Sequence, residues 1–292
     1  MGSQKHAFLF LSVLFFFNSL LFSAADDVYY EFILQEAEFT KLCGTKTVLT
    51  VNGSFPGPEI RVRRDDTVYV NVHNQGRFAV SIDWEGVEDS IDGANELIQP
   101  GRNFTYEIEL DDEIGTLWWH ARSAWARATV HGAFVISPAA GEEYPFPAPT
   151  SDQTIILGEW FRQELTEGIV PGQADAYTIN GHLGETYGCN DTSYQLQVDY
   201  QGLYLLRIIN AVANETMVFA IAQHSTTIVG RNAAYARRSF SSSLTLAPGQ
   251  TLDILLSANQ NVGQYYITAR PSSGRLNTTG IIHYTTSTGG LV

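Results

Sequence analysis

The sequence predicts an all-β protein built from two tandem β-sandwiches, and three observations carry that expectation. Short runs rich in Val, Ile, Thr and Tyr, at residues 47–51, 67–72, 104–110, 203–209 and 251–257, alternate with Gly, Pro and Asn punctuation and show no sustained helical period. The halves repeat one another: VNG at 51–53 answers ING at 179–181, IQPGR at 98–102 answers LAPGQ at 246–250, and GTLWWHA at 115–121 answers GQYYITA at 263–269. Spacing repeats as well, since Gly101 to Gly115 and Gly249 to Gly263 both span 14 positions, and Gly115 to Gly132 and Gly263 to Gly280 both span 17. Finally, 292 residues with 44% hydrophobic and 16% charged side chains suffice for two buried cores of ordinary size.

Taken in chain order, residues 1–25 read as a secretory signal peptide. Lys5 precedes an apolar run at 7–17, continued at 20–22, and Ser23, Ala24 and Ala25 lead into Asp26. Asn18 and Ser19 interrupt the run and no basic flank follows it, which argues against a membrane anchor. The first sandwich is expected at 26–138. The proline-rich stretch AAGEEYPFPAPTSD at 139–152 cannot continue a central strand and reads as a linker, leaving the second sandwich at 153–292. Short helical turns are expected around 160–166 and 211–216.

The leader implies a secreted, extracellular protein. In an oxidising compartment the even pair Cys43 and Cys189 favours one disulfide, the alternative being two buried thiols. Asn52, Asn103, Asn190, Asn214 and Asn277 head Asn-x-Ser/Thr sequons and are candidate glycosylation sites. Lys and Arg number 17 against 31 Asp and Glu, a net charge of −14, which disfavours nucleic acid and anionic membrane surfaces as partners. No stretch after the leader reaches membrane-spanning length. Strand alternation places Trp118, His120 and Arg122 on one side of their strand and Trp119 and Ala121 on the other; Asp83 and Glu85 share a side opposite Trp84.

The strings TVNGSFPGPEI (50–60), GTLWWHA (115–121), RATVHGAFVI (127–136), YPFPAP (144–149), LGEW (157–160), TINGH (178–182), YLLRIINA (204–211) and LAPGQT (246–251) resemble the plant laccases of the multicopper oxidase family. The resemblance spans residues 27–283. It implies cupredoxin-like Greek-key sandwiches, an apoplastic glycoprotein, copper as cofactor, and oxidation of phenols such as monolignols by dioxygen in lignin metabolism. It also implies a third sandwich carrying the type 1 copper. The sequence ends at Val292, where the second sandwich would finish, so the expectation is that this electron entry port is absent.

The family's first sandwich supplies two His-x-His pairs to a trinuclear copper cluster, because alternate strand residues aim two imidazoles at one place. Here those pairs read Asp83, Trp84, Glu85 and His120, Ala121, Arg122. His120 is the only surviving metal-ligand position. Asp83, Glu85 and Arg122 are degenerate, and a guanidinium cannot ligate a metal. The expectation is a non-catalytic homologue with no catalytic residues and no stably bound copper, in which Arg122 bridges Asp83 or Glu85 beside His120. The rival is a hard-cation site of Asp83, Glu85 and His120. Two other readings stay open: a partial laccase that contributes to phenol oxidation with a partner chain, and a truncated gene product without function.

A missing third sandwich would leave a face open to a protein partner or to self-association, with Asp83, Glu85 and Arg122 accessible to solvent. Asn214 and Glu215 fall where laccases carry a polar residue near the phenol pocket. The remaining histidines read as structural or solvated: His73 after a strand, His131, His182 in a turn, His224 on a strand, and His283 at a core or edge position, while His6 belongs to the leader. There is no nucleophile elbow and no phosphate-cradling glycine loop.

Overall fold

A computed structural model describes residues 25–87, 91–93, 95–110, 112–189, 191–274 and 276–285. The expected leader (Ala25 excepted), His6 and Asn190 lie outside them. The first sandwich contains β1 (Asp27–Lys41), β2 (Gly44–Val51), β3 (Ile60–Arg63), β4 (Thr67–Asn74), β5 (Ile82–Glu85), β6 (Ile91–Asp92), β7 (Asn103–Glu109), β8 (Gly115–Ala121) and β9 (His131–Ser137), with the short helix α1 (Ala124–Arg127) between the last two. One sheet runs β2-β1-β4-β7-β6 and the other β3-β9-β8-β5. Phe32, Val70, Tyr106, Trp84, Trp119 and Phe134 from both sheets meet in one buried core. Burial of alternate side chains on β4, at Val68, Val70 and Val72, supplies the hydrophobic drive for this packing.

The second sandwich contains β10 (Ser151–Trp160), β11 (Ala176–Ile179), β12 (Tyr194–Asp199), β13 (Leu203–Asn210), β14 (Met217–Ile221), β15 (Thr226–Arg231), β16 (Ala234–Ser241), β17 (Leu244–Leu246), β18 (Thr251–Ser257), β19 (Gln264–Pro271) and β20 (Thr278–Thr285). Its sheets run β11-β10-β13-β18-β15-β16 and β12-β20-β19-β14-β17. The internal repeat is carried into register. Trp119 faces Gly132 across β8 and β9, and Ile267 faces Gly280 across β19 and β20. The repeated Asn-Gly turns do the same job in each half. Asn52 accepts from the Ile33 amide at 2.7 Å and donates to the Glu31 carbonyl at 3.0 Å; Asn180 accepts from Ile156 at 2.6 Å and donates to Thr154 at 2.9 Å. Both asparagines have positive φ, 53° and 47°, which Asn tolerates better than most residues.

Ties of three kinds are prominent among those that join the sandwiches. The disulfide Cys43–Cys189 links the β1–β2 turn to the segment before β12. Trp118 donates its indole N–H to the Gly249 carbonyl at 3.1 Å. Arg207 on β13, fully buried, donates to Asp152 at 2.7 Å, to Thr116 of β8 at 3.2 Å and to the Tyr144 hydroxyl at 3.2 Å, and pairs with Asp253 at 3.5 Å. A buried guanidinium with every neighbour an oxygen is the arrangement that makes such a charge tolerable.

Several sequence expectations need correction. No helix forms at 160–166 or 211–216. In the second segment the Asn210 side chain takes the Glu215 and Leu246 carbonyls and the Val212 amide, which folds the chain into an irregular bend in place of a helical turn. The helical turns lie instead at α1 and at Glu185–Tyr187. β10 opens at Ser151, inside the expected linker, because Ser151 and Asp152 pair with Tyr204 and Leu205. His73 lies within β4 and His224 in the turn after β14. His224 is buried, contacting the Ala222 carbonyl at 2.7 Å and the Tyr284 hydroxyl at 2.5 Å. His283 lies on β20 against Gln195 in a solvent-exposed contact. Among the described residues no helix is long and apolar enough to cross a membrane.

Candidate metal centre

β5 and β8 are antiparallel neighbours, with Asp83 opposite His120 and Glu85 opposite Trp118. Alternation turns Trp84, Trp119 and Ala121 into the core and leaves Asp83, Glu85, Trp118 and His120 on the other side. One ligand atom from each of Asp83, Glu85 and His120 lies within 4.8 Å of the others. The site predicted from sequence is thus brought together by a single strand pair.

Arg122, just beyond β8, enters the same cluster. Its Nη2 donates to Asp83 Oδ1 at 3.3 Å and its Nη1 to the Asn95 side-chain oxygen. His120 is buried; its Nε2 contacts Glu85 Oε2 at 3.4 Å and its Nδ1 the Ala121 carbonyl at 3.0 Å. The His120 hydrogen bond holds the Glu85 carboxyl below its ordinary range, against the opposing effect of partial burial. Asp83, Glu85 and Arg122 each leave more than a third of the side chain exposed. Trp118 packs on His120, ring centroids 4.4 Å apart, and Arg127 lies 4.8 Å from the Trp118 ring centroid.

This donor set does not fit a copper cluster. Two of the four positions offer hard carboxylate oxygens, one offers a guanidinium, and one offers an imidazole whose two nitrogens both face oxygens. The carboxylate–imidazole trio suits a single hard or borderline divalent cation better, but Arg122 competes for Asp83.

A second concavity, about 640 Å³, is lined by Glu159, Tyr177, Asn214 and Glu215. Glu159, at the end of β10, is pushed up to about 7 by burial and accepts the Ala213 amide at 3.3 Å. Sequence reasoning passed over three participants. Glu159 stands inside the LGEW string and Arg127 opens RATVHG, so both could have been flagged; nothing in the sequence places Asn95 beside Arg122.

Residues 33–141 and 151–287 each match the multicopper oxidase family, and the chain belongs to that family. Within it the chain is laccase-like. It is 39% identical over 95% of its length to Laccase-12 of Arabidopsis thaliana and covers 54% of that protein. It is 42% identical over 83% of its length to putative laccase-9 of Oryza sativa subsp. japonica and covers 45% of it. The chain therefore spans about half the length of the curated relatives it matches. Among solved structures, the Botrytis aclada laccase aligns with a TM-score of 0.76 at 22% identity, over 92% of this chain and 55% of that one. The copper nitrite reductase from Nitrosomonas europaea aligns at 0.76 and 18% identity, over 89% and 94%. At those identities the likeness establishes the cupredoxin-like fold alone.

Proposed function

We propose that this chain is a secreted laccase-like protein whose first-sandwich copper centre has been replaced by a polar cage, and that it does not oxidise phenols by itself. One observation carries the reading: three of the four imidazole positions hold Asp83, Glu85 and Arg122, with Arg122 paired to Asp83 and Glu85 paired to the remaining His120. Arg122 places a permanent positive charge beside the carboxylates where the family holds cations, which both compensates the carboxylates and repels a metal. Secretion is supported by the leader-like residues 1–25 and by the paired cysteines. Its role is then to bind a component of the cell wall or another protein.

The test is metal analysis and oxygen uptake on the full chain secreted from a eukaryotic host and loaded with copper. The expected result is copper well below one ion per chain and no uptake with a phenolic substrate. Stoichiometric copper together with oxygen consumption overturns the reading. Activity that appears only on mixing with a silent full-length laccase replaces it with a shared-site oxidase.

A further inference from the structure

The outer face of the first sandwich carries a surface that the copper question leaves untouched. β1, β4 and β7 lie side by side in fixed register, and their outward side chains form three rows. Tyr29, Tyr69 and Glu107 make the first, Glu31, Asn71 and Thr105 the second, and Ile33, His73 and Asn103 the third. In the first row Tyr29 and Tyr69 stack with centroids 4.9 Å apart and planes 13° from parallel, and Tyr29 is 71% exposed. The Tyr69 hydroxyl donates to Glu107 at 3.0 Å. In the second row Asn71 donates to both Glu31 oxygens at 3.2 and 3.0 Å, and Thr105 donates to the Asn71 carbonyl at 3.2 Å. In the third, the exposed Asn103 donates to that same Asn71 oxygen at 3.3 Å and heads the sequon Asn103, Phe104, Thr105. A modifiable amide thus stands at one end of a polar face and a stacked pair of tyrosines, Tyr29 exposed and Tyr69 half-buried, at the other, about 14 Å apart by strand rise.

A ring face accepts the aliphatic C–H groups of a sugar, while carboxylates, amides and hydroxyls around it satisfy sugar hydroxyls. We propose that Asn103 carries an N-linked glycan that lies along this face and stacks on the Tyr29–Tyr69 pair. The inference rests on the secreted reading above. The linked amide keeps one N–H, so Asn103 can retain its bond to Asn71 after modification. Tethering makes the contact intramolecular, so weak stacking is enough to populate it. Asp27, Glu31 and Glu107 on the same face repel an anionic polymer and favour a neutral glycan. The Asn52 sequon contrasts with it: both polar atoms of that carboxamide are committed to the β1 backbone.

The experiment uses the full chain secreted from a eukaryotic host, with site occupancy read by glycopeptide mass spectrometry and Tyr29 exposure by surface iodination. The expected result is an occupied Asn103, with Tyr29 protected in the glycosylated protein and labelled after enzymatic glycan removal or in Asn103→Gln. Glycan removal should also lower the melting temperature by about 2–4 °C more in the wild type than in the folded surface variant Tyr29→Ala. An unmodified Asn103 beside a modified Asn214 or Asn277 overturns the inference while leaving secretion intact. Equal Tyr29 labelling with and without the glycan also overturns it. So does Tyr29-dependent retention of glycan-free protein on a neutral polysaccharide, which would make an external glycan the occupant. If the chain stays inside the host cells, both this inference and the secreted reading fail, whereas a secreted chain with no sequon occupied overturns this inference alone.

Discussion

His131 and Glu159 should make two steep contributions to the pH dependence of stability that cancel one another. His131 on β9 is fully buried, donates Nδ1–H to the Arg127 carbonyl at 2.8 Å, and is pushed by burial from 6.5 down to about 4. The unfolded chain binds the His131 proton first, so the stability from its neutral ring is complete above pH 6.5 and is lost as pH falls toward 4. Glu159 is raised by burial from 4.5 to about 7. Here the folded state holds the proton longer, so its contribution is complete below pH 4.5 and is lost as pH rises toward 7. At about 1.36 kcal/mol per pH unit of unshared protonation, each group changes stability by about 2 kcal/mol between pH 4.5 and 6.5, with opposite sign. Urea unfolding of wild type, Glu159→Gln and His131→Leu at pH 4.5, 5.5 and 6.5 exposes the cancellation. Relative to wild type, Glu159→Gln should gain about 2 kcal/mol as pH rises across that window, and His131→Leu should gain as much as pH falls. A variant-minus-wild-type difference that stays constant with pH refutes the reasoning for that residue.

Three further outcomes follow from the same structure. Arg122→Ala removes the cation that competes for Asp83, so titration calorimetry should show tighter binding of Zn²⁺ or Mn²⁺ by about tenfold or more, and Glu85→Gln in the same background should abolish the gain. Arg207→Leu leaves the buried Asp253 without its cation, while Asp152 keeps Arg61; denaturant unfolding at pH 7 should show a loss of about 3–5 kcal/mol, and no measurable loss would mean the network is dispensable. The double variant Cys43→Ser, Cys189→Ser opens a loop of sequence separation 146, for which chain entropy sets an upper bound of about 5 kcal/mol; the unfolding midpoint should drop while the far-ultraviolet dichroism of the fold persists.

Much of the fold was legible because β-sandwiches write a period of two into sequence. Of the repeated glycines, Gly132 and its counterpart Gly280 mark positions with little room for a side chain: a Cβ would approach a Trp119 ring atom to 2.5 Å at the first and the Tyr194 carbonyl to 3.1 Å at the second. Repetition then pointed to two sandwiches before any packing was known. The errors fell where side chains override local pattern. Asn210 holds 211–216 in an irregular bend by capturing three backbone groups, a tertiary choice no propensity foretells. The linker lost its last two residues to pairing with β13 for the same kind of reason.

At the centre, residue types and alternation determined that Asp83 and Glu85 share a side of one strand, that His120 and Arg122 share a side of another, and that Arg122 cannot ligate a metal, because these follow from chemistry and from the two-residue period of a strand; that the two strands meet was implied only by the resemblance. Which groups then satisfy one another was decided only in three dimensions. Asn95 reaches Arg122 from 27 positions away, and Glu159 acquires its raised pKa from burial that the LGEW string does not encode. Hydrogen bonds and desolvation depend on distances set by the packing of whole sheets, whereas side-chain direction along one strand is set locally by the backbone.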